Sequence, residues 1–153
     1  MQSPIITLRP TVTGSTSPAY ASGDAVGGKL TLTDVVANQT AWAEIVHVAI
    51  CSDVLSAVPF DVIFFDADPA ATTFTDNGAL DIAKADLPKV IGVAHCSDVT
   101  ALSGASIHQT TNLSLVFRAA VGTRIFAAIV IRGAITLAAT DDISIQIRIR
   151  QDI

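Results

Sequence analysis

The stretch Val58 to Pro69, V-P-F-D-V-I-F-F-D-A-D-P, constrains the fold more than any other part of the chain. Val62, Ile63, Phe64 and Phe65 put apolar side chains on both faces of any strand they form, and Pro59 and Pro69 bracket them. A proline nitrogen cannot donate to a ladder, so both rings are admissible only near the ends of that strand. A short run of β-branched and aromatic residues between turn formers reads as a strand buried on both faces. Residues 58–69 are therefore expected as the central strand of a two-sheet sandwich. Residues 124–131, apolar on both faces from Ile125 to Ile131, are expected as a second interior strand.

Other segments alternate, as half-buried strands do. Ile143, Ile145, Ile147 and Ile149 are interleaved with Ser144, Gln146, Arg148 and Arg150, which gives one dry face and one wet one. Leu30 and Leu32 alternate with Lys29, Thr31 and Thr33, and Gly23-Asp24 and Gly27-Gly28 just before them predict two turns or bulges. In Trp42 to Cys51, the pattern sets Val46, Val48 and Ile50 against Ile45, His47, Ala49 and Cys51. Val90–Cys96 and Ile107–Ala119 continue the β pattern, the latter with Leu113, Leu115 and Phe117 on one face. Ala79 to Asp86 predicts about two helical turns stopped by Pro88. The sum is an all-β chain, a β-sandwich or jelly roll of about eight strands with one short helical insertion.

Ile5 to Val12, interrupted by Pro10, reads as an N-terminal arm or edge strand, and Thr13 to Pro18 as a flexible connector without a core residue. The division is an arm and connector, residues 1–18, and a single sandwich domain, residues 19–153.

Half of the 153 residues are hydrophobic and only 15% are charged, against roughly a quarter in ordinary domains. So few charges cover a monomer's surface poorly, which predicts self-association. The net charge of −5 argues against nucleic acid as a partner. It is uneven: residues 1–100 hold four basic and eleven acidic side chains, residues 101–153 five and three. A basic stripe on the C-terminal strands could meet an acidic partner or pair with acids of its own fold. Met1–Pro10 lacks the basic start and apolar core of a signal peptide, and the seven-residue run Ile125–Ile131 is far short of the ~20 a membrane helix needs. No membrane association or export is expected. Cys51 and Cys96, the only cysteines, are expected as buried free thiols.

Asp66-Ala67-Asp68 has the spacing of a metal-holding carboxylate pair, but no strand–helix alternation accompanies it and a strand end is the better reading. Gly23–Gly28 lacks the Gly-Lys-Ser/Thr ending of a phosphate loop. His47, Cys51, His95, Cys96 and His108 are ligand types for zinc, yet a strand sends the neighbours His95 and Cys96 to opposite faces. Glu44 is the only glutamate, which removes acid–base chemistry by a Glu pair. No enzyme activity, metal or cofactor is expected. Val48–Val54 and Val93–Val99 match at six of seven positions, an echo that does not extend.

Three segments, Tyr20-Ala-Ser-Gly-Asp-Ala-Val-Gly-Gly28, Phe64-Phe-Asp-Ala-Asp-Pro69 and Val90-Ile-Gly-Val93, together with the arm and the later apolar strands, resemble small decoration or cement proteins of tailed bacteriophages. The resemblance implies a structural virion protein on the capsid exterior, partnered by the major capsid protein and by itself as a homotrimer. Ile5, Ile6, Leu8 and Arg9 in the arm are then the expected capsid or subunit contacts. A head fibre, a tail component or an adhesin binding a host receptor or glycan is the alternative, weakened by having only Trp42 and Tyr20 as the larger stacking aromatics.

Overall fold

Ten strands organise the chain in the computed structural model, which describes residues 3–110 and 112–152. They are β1 (Ile5–Leu8), β2 (Ala25–Leu32), β3 (Ala43–Ser52), β4 (Phe60–Phe65), β5 (Val90–Cys96), β6 (Asp98–Leu102), β7 (Ala105–Gln109), β8 (Leu115–Phe117), β9 (Ile125–Ile131) and β10 (Ile143–Gln151). One sheet runs β1-β10-β3-β7-β6, with β8 also paired to β3, and the other runs β2-β9-β4-β5. Every strand pair is antiparallel. The fold is an all-β two-sheet sandwich, divided six and four where about eight strands were expected. Among the described residues no helix is long and apolar enough to cross a membrane.

The double-sided strands sit where their composition requires. All six residues of β4 and all seven of β9 are buried, and the two strands are paired neighbours inside the smaller sheet. Phe60, Val62 and Phe64 face the inter-sheet core, where they join Ile125, Ile129 and Ile131 and the inward isoleucines of β10. Ile63 and Phe65 face outward and are nevertheless dry. Together with Phe126, Ala128 and Val130 they form a second apolar cluster, against which Phe74, Leu80 and Ile82 pack. The outer face of the smaller sheet is thus roofed by the chain's own segment 66–89.

That segment is not the helix expected over Ala79–Asp86. It is irregular, and its only helical element is a single 3-10 turn, Leu87–Lys89. Leu80 and Ile82, two residues apart, both reach the sheet, which an extended segment permits and a helix would not. Polar clamps fix it. Asp76 Oδ1 accepts hydrogen bonds from Tyr20 Oη and from Gly27 N–H, each at 2.7 Å. The buried Asp86 carboxylate accepts from Lys89 Nζ and Thr72 Oγ1, again at 2.7 Å. The bond from Lys89 above all holds that carboxyl below its ordinary range.

The connector over Thr13–Pro18 is also anchored where slack was expected. Gly14 donates to Thr140 O at 2.8 Å, Ser15 N–H donates to Tyr20 Oη at 2.7 Å, and Val12 lies in the core. A Cβ on Gly14 would stand 2.7 Å from Leu137 Cδ1 and 3.0 Å from Tyr20 Oη, so a larger residue there would have to displace one of these side chains. The two turns expected from the glycines are present: Gly23 and Gly27 have φ of 99° and 71°, and the β2–β9 register breaks between Val26 and Leu30.

In β3 a register shift opposite Arg148/Ile149 leaves Val46 unpaired, so Ile45, Val48 and Ile50 share the core. The expected alternation placed Ile45 on the other face, and a bulge reverses such an assignment. β3 is interior to its sheet and β5 ends the other, so the echoed segments do not occupy equivalent places.

Candidate functional site

With the smaller sheet roofed, the outer face of the larger sheet is the broad surface left uncovered. The pairing registers line up its outward residues in rows across the strands. One row is Ile5, Arg150, Glu44 and Val116; the next is Thr7, Arg148 and His47; a third is Gln146, Ala49, Gln109 and Asp98; a fourth is Ser144, Cys51, Ile107 and Thr100. Arg9 follows β1 and lies over Gln146, whose carbonyl oxygen accepts from Arg9 Nη2 at 2.6 Å when the amide is oriented toward the guanidinium. Beside it a shallow groove of about 350 Å³ is lined by Arg9, Cys51, Asp141, Ser144 and Gln146 among others.

The electrostatics of this face differ from those of the chain as a whole. Arg150 is paired with Glu44 at 2.7 Å, but among the described residues neither Arg9 nor Arg148 has a carboxylate partner. His47 reaches Gln109 Oε1 through Nε2 at 3.4 Å, a long contact. On the opposite side of the sandwich, segment 66–89 carries Asp66, Asp68, Asp76, Asp81 and Asp86 against Lys84 and Lys89. The molecule is acidic overall, and its bare face carries Arg9, Arg148 and Arg150 together with Glu44 and Asp98.

The four residues expected as contacts split between two environments. Ile6 and Leu8 are opposite Ile149 and Ile147 and pack against the core, whereas Ile5 is 56% exposed and Arg9 lies outward. In this conformation β1 is the edge strand of its own sheet, and two of its three aliphatic side chains are already engaged.

Residues considered for chemistry are dispersed. Asp68 pairs with Lys29 at 2.6 Å, while Asp66 closes the strand end, its N–H donating to Lys89 O and its carbonyl accepting from Ala120 N–H. Burial raises the Asp66 carboxyl above its ordinary value. Cys96 is buried, its thiol pushed up to about 12 mainly by desolvation, and Cys51 is exposed where burial was expected. The two are free thiols. Among the described residues no three His, Cys, Asp or Glu side chains are placed to hold one metal ion.

A charged group not anticipated from the sequence lies inside β4, one of the two strands buried on both faces. Asp61 of β4 is 6% exposed and is satisfied from both sides, by Arg132 Nε at 2.6 Å and by His95 Nδ1 at 2.7 Å. The cluster ties β4 to its neighbour β5 and to the residue following β9. Its one sequence signal is a carboxylate in a run otherwise apolar, since such a group must find a cation.

His108 is fully buried, with its ring edge-on to Phe60 at 4.9 Å between centroids. Ser106 Oγ lies 2.9 Å from His108 Nε2 and 3.3 Å from Val54 O. Nδ1 has no partner among the described residues. Burial lowers the His108 pKa, so the unfolded chain takes up a proton more readily than the folded one. The contribution is complete above about pH 6.5 and is lost as the pH falls below it. Urea midpoints between about pH 7 and pH 5 are expected to fall more steeply for the native chain than for His108→Phe; equal slopes would remove His108 as the source.

A scan against protein-family models finds no matching family, and a search of curated proteins finds no match.

Proposed function

We propose that this chain is a structural, non-enzymatic virion subunit of the tailed-phage decoration type, which binds the capsid exterior and stabilises the shell. The observation that carries the reading is the asymmetry of the sandwich. One sheet is roofed by segment 66–89, while the other exposes a face on which Arg9 and Arg148 lack carboxylate partners among the described residues. A polar sheet face with guanidinium groups that lack carboxylate partners suits docking on an acidic protein surface, here that of the major capsid protein. Ile5, exposed beside Arg150 on the same face, adds an apolar contact. Self-association, expected as a homotrimer, multiplies each weak contact through effective concentration.

Mixing the protein with tailed-phage shells that lack it, then pelleting and heating them, tests this directly. The protein is expected to co-sediment and to raise the temperature at which the shells burst. If it does neither, the reading falls.

One observation favours the alternative of a fibre, tail or adhesin component. Trp42 is 51% exposed, with the Arg118 guanidinium 5.4 Å from its ring centroid, an arrangement that can stack on a sugar. Under that reading the protein binds host cells with no shell present, and Trp42→Ala abolishes the binding.

A further inference from the structure

In the two open sheets five strands are paired on one side only, and four of these are guarded; β8 is just three residues long and lies against β5. β1 is flanked by Pro4 and Pro10, with Arg9 beside it. β2 is broken by its bulge, carries Lys29, and is bridged by Asp76 and Ala79 of the roof segment. β5 starts directly after the Pro88 turn, is bulged against β4, and lies against β8, where Leu115 Cδ2 would stand 2.8 Å from a Cβ on Gly92. β6 has no proline, bulge or covering segment among the described residues, and its one charge is Asp98 at its start. Its one strand neighbour is β7, four of its five residues are exposed, and no charged residue occurs from Val99 to Ile107. Among the described residues, no backbone hydrogen bond beyond the β7 ladder reaches it. Folded proteins blunt such edges with charge, proline or a bulge because a bare edge templates pairing with another chain.

We infer that β6 is a self-association edge, occupied by β6 of a second copy in an antiparallel pair centred on Thr100. The choice of occupant rests on charge. In that register Thr100 meets Thr100 of the second copy, Val99 meets its Ala101, and Asp98 meets its Leu102. The one charged residue of the strand is therefore kept away from its own symmetry mate at both ends. Thr–Thr and aliphatic pairs are favourable cross-strand neighbours, and like charges directly opposite are not. Two larger sheets joined in this way form one continuous sheet about a two-fold axis. The contact is isologous and closes with two copies, so a trimer would require a different surface, with β6 then joining neighbouring trimers. The inference concerns association of the chain with itself and does not depend on the virion reading.

Sedimentation equilibrium of the full chain, from about 1 µM to 1 mM, is expected to show a monomer–dimer equilibrium. Leu102 is 50% exposed, so its replacements are expected to leave the fold intact, with circular dichroism as the check. Leu102→Lys puts a cation opposite Asp98 and is expected to tighten the dimer about three- to tenfold, whereas Leu102→Asp puts two acids together and loosens it by about tenfold or more. A generic apolar contact would be weakened by both. In a Cys51→Ser background, Thr100→Cys is expected to form a covalent dimer with diamide, because directly opposed Cα atoms lie about 4.5–5.5 Å apart, within disulfide reach. Three results would each overturn the assignment: a monomer at every concentration, an oligomer indifferent to both Leu102 variants, or a Thr100→Cys chain whose introduced thiol is accessible yet fails to cross-link.

Discussion

Phe64→Ala is expected to cost roughly 3–5 kcal/mol of unfolding free energy, the range for truncating a buried phenylalanine. Phe64 is 0% exposed and sits at the centre of the inter-sheet core. Its strand is hydrogen-bonded on both sides, by β9 and β5, so the backbone cannot collapse into the space left behind. For a chain of this size the melting temperature should drop by on the order of 10 °C. Leu55→Ala, at a position 56% exposed, is the control and should change stability by less than about 0.5 kcal/mol. Phe65, next in sequence, points the other way, under the roof segment, with its ring edge-on to Phe74. Phe65→Ala should therefore show itself first as faster proteolysis within residues 66–89. If the two phenylalanines behave alike in both assays, the division into an inter-sheet core and a roofed outer face is wrong.

Deleting residues 1–8 is expected to destabilise the sandwich as well as weaken any partner contact. β1 supplies the outer partner of β10 through four register pairs, and Ile6 and Leu8 cover part of the core. Two partly buried aliphatic side chains are worth about 2–3 kcal/mol together, at roughly half of the full burial value for each. The deletion also bares β10 as a long new edge, which invites aggregation. Chemical denaturation should show the lower midpoint, and light scattering the aggregation. A truncated chain as stable and as monodisperse as the native one would mean that β1 is a free arm and not a structural strand. Because the deletion damages the fold, loss of shell binding by the truncated chain cannot alone locate the contact.

What could be read from the sequence was whatever is local in the chain. β4, β9 and β10 follow from side-chain period and from the positions of prolines, and the turns at Gly23 and Gly27 from conformational freedom. Two things were not local. The helix expected at Ala79–Asp86 rested on propensity, which is overridden by the gain from laying Leu80 and Ile82 on Ile63 and Phe65. Their period-two spacing was the available sign. The bulge at Val46 depends on how β10 pairs, and no feature of β3 alone reports it. Of the four expected contact residues, composition picked out an apolar and basic strand but not its orientation, which the pairing with Ile147 and Ile149 decides. A basic stripe was anticipated on the C-terminal strands. That Arg150 is paired and Arg148 is not emerges only once β3 lies alongside.

The uncovered face of the larger sheet is the proposed binding surface. Reversing its two arginines that lack carboxylate partners among the described residues, Arg9→Glu with Arg148→Glu, tests this while leaving β1 in place. Both side chains lie outward, so the melting temperature should stay within a few degrees of the native value, an effect of about 1 kcal/mol or less. In co-sedimentation with shells lacking the protein, native binding should weaken with rising salt. The double variant should bind at least about tenfold more weakly at low salt, the equivalent of about 1.4 kcal/mol. A folded double variant that pellets as well as the native protein, with the same salt dependence, would contradict the claim.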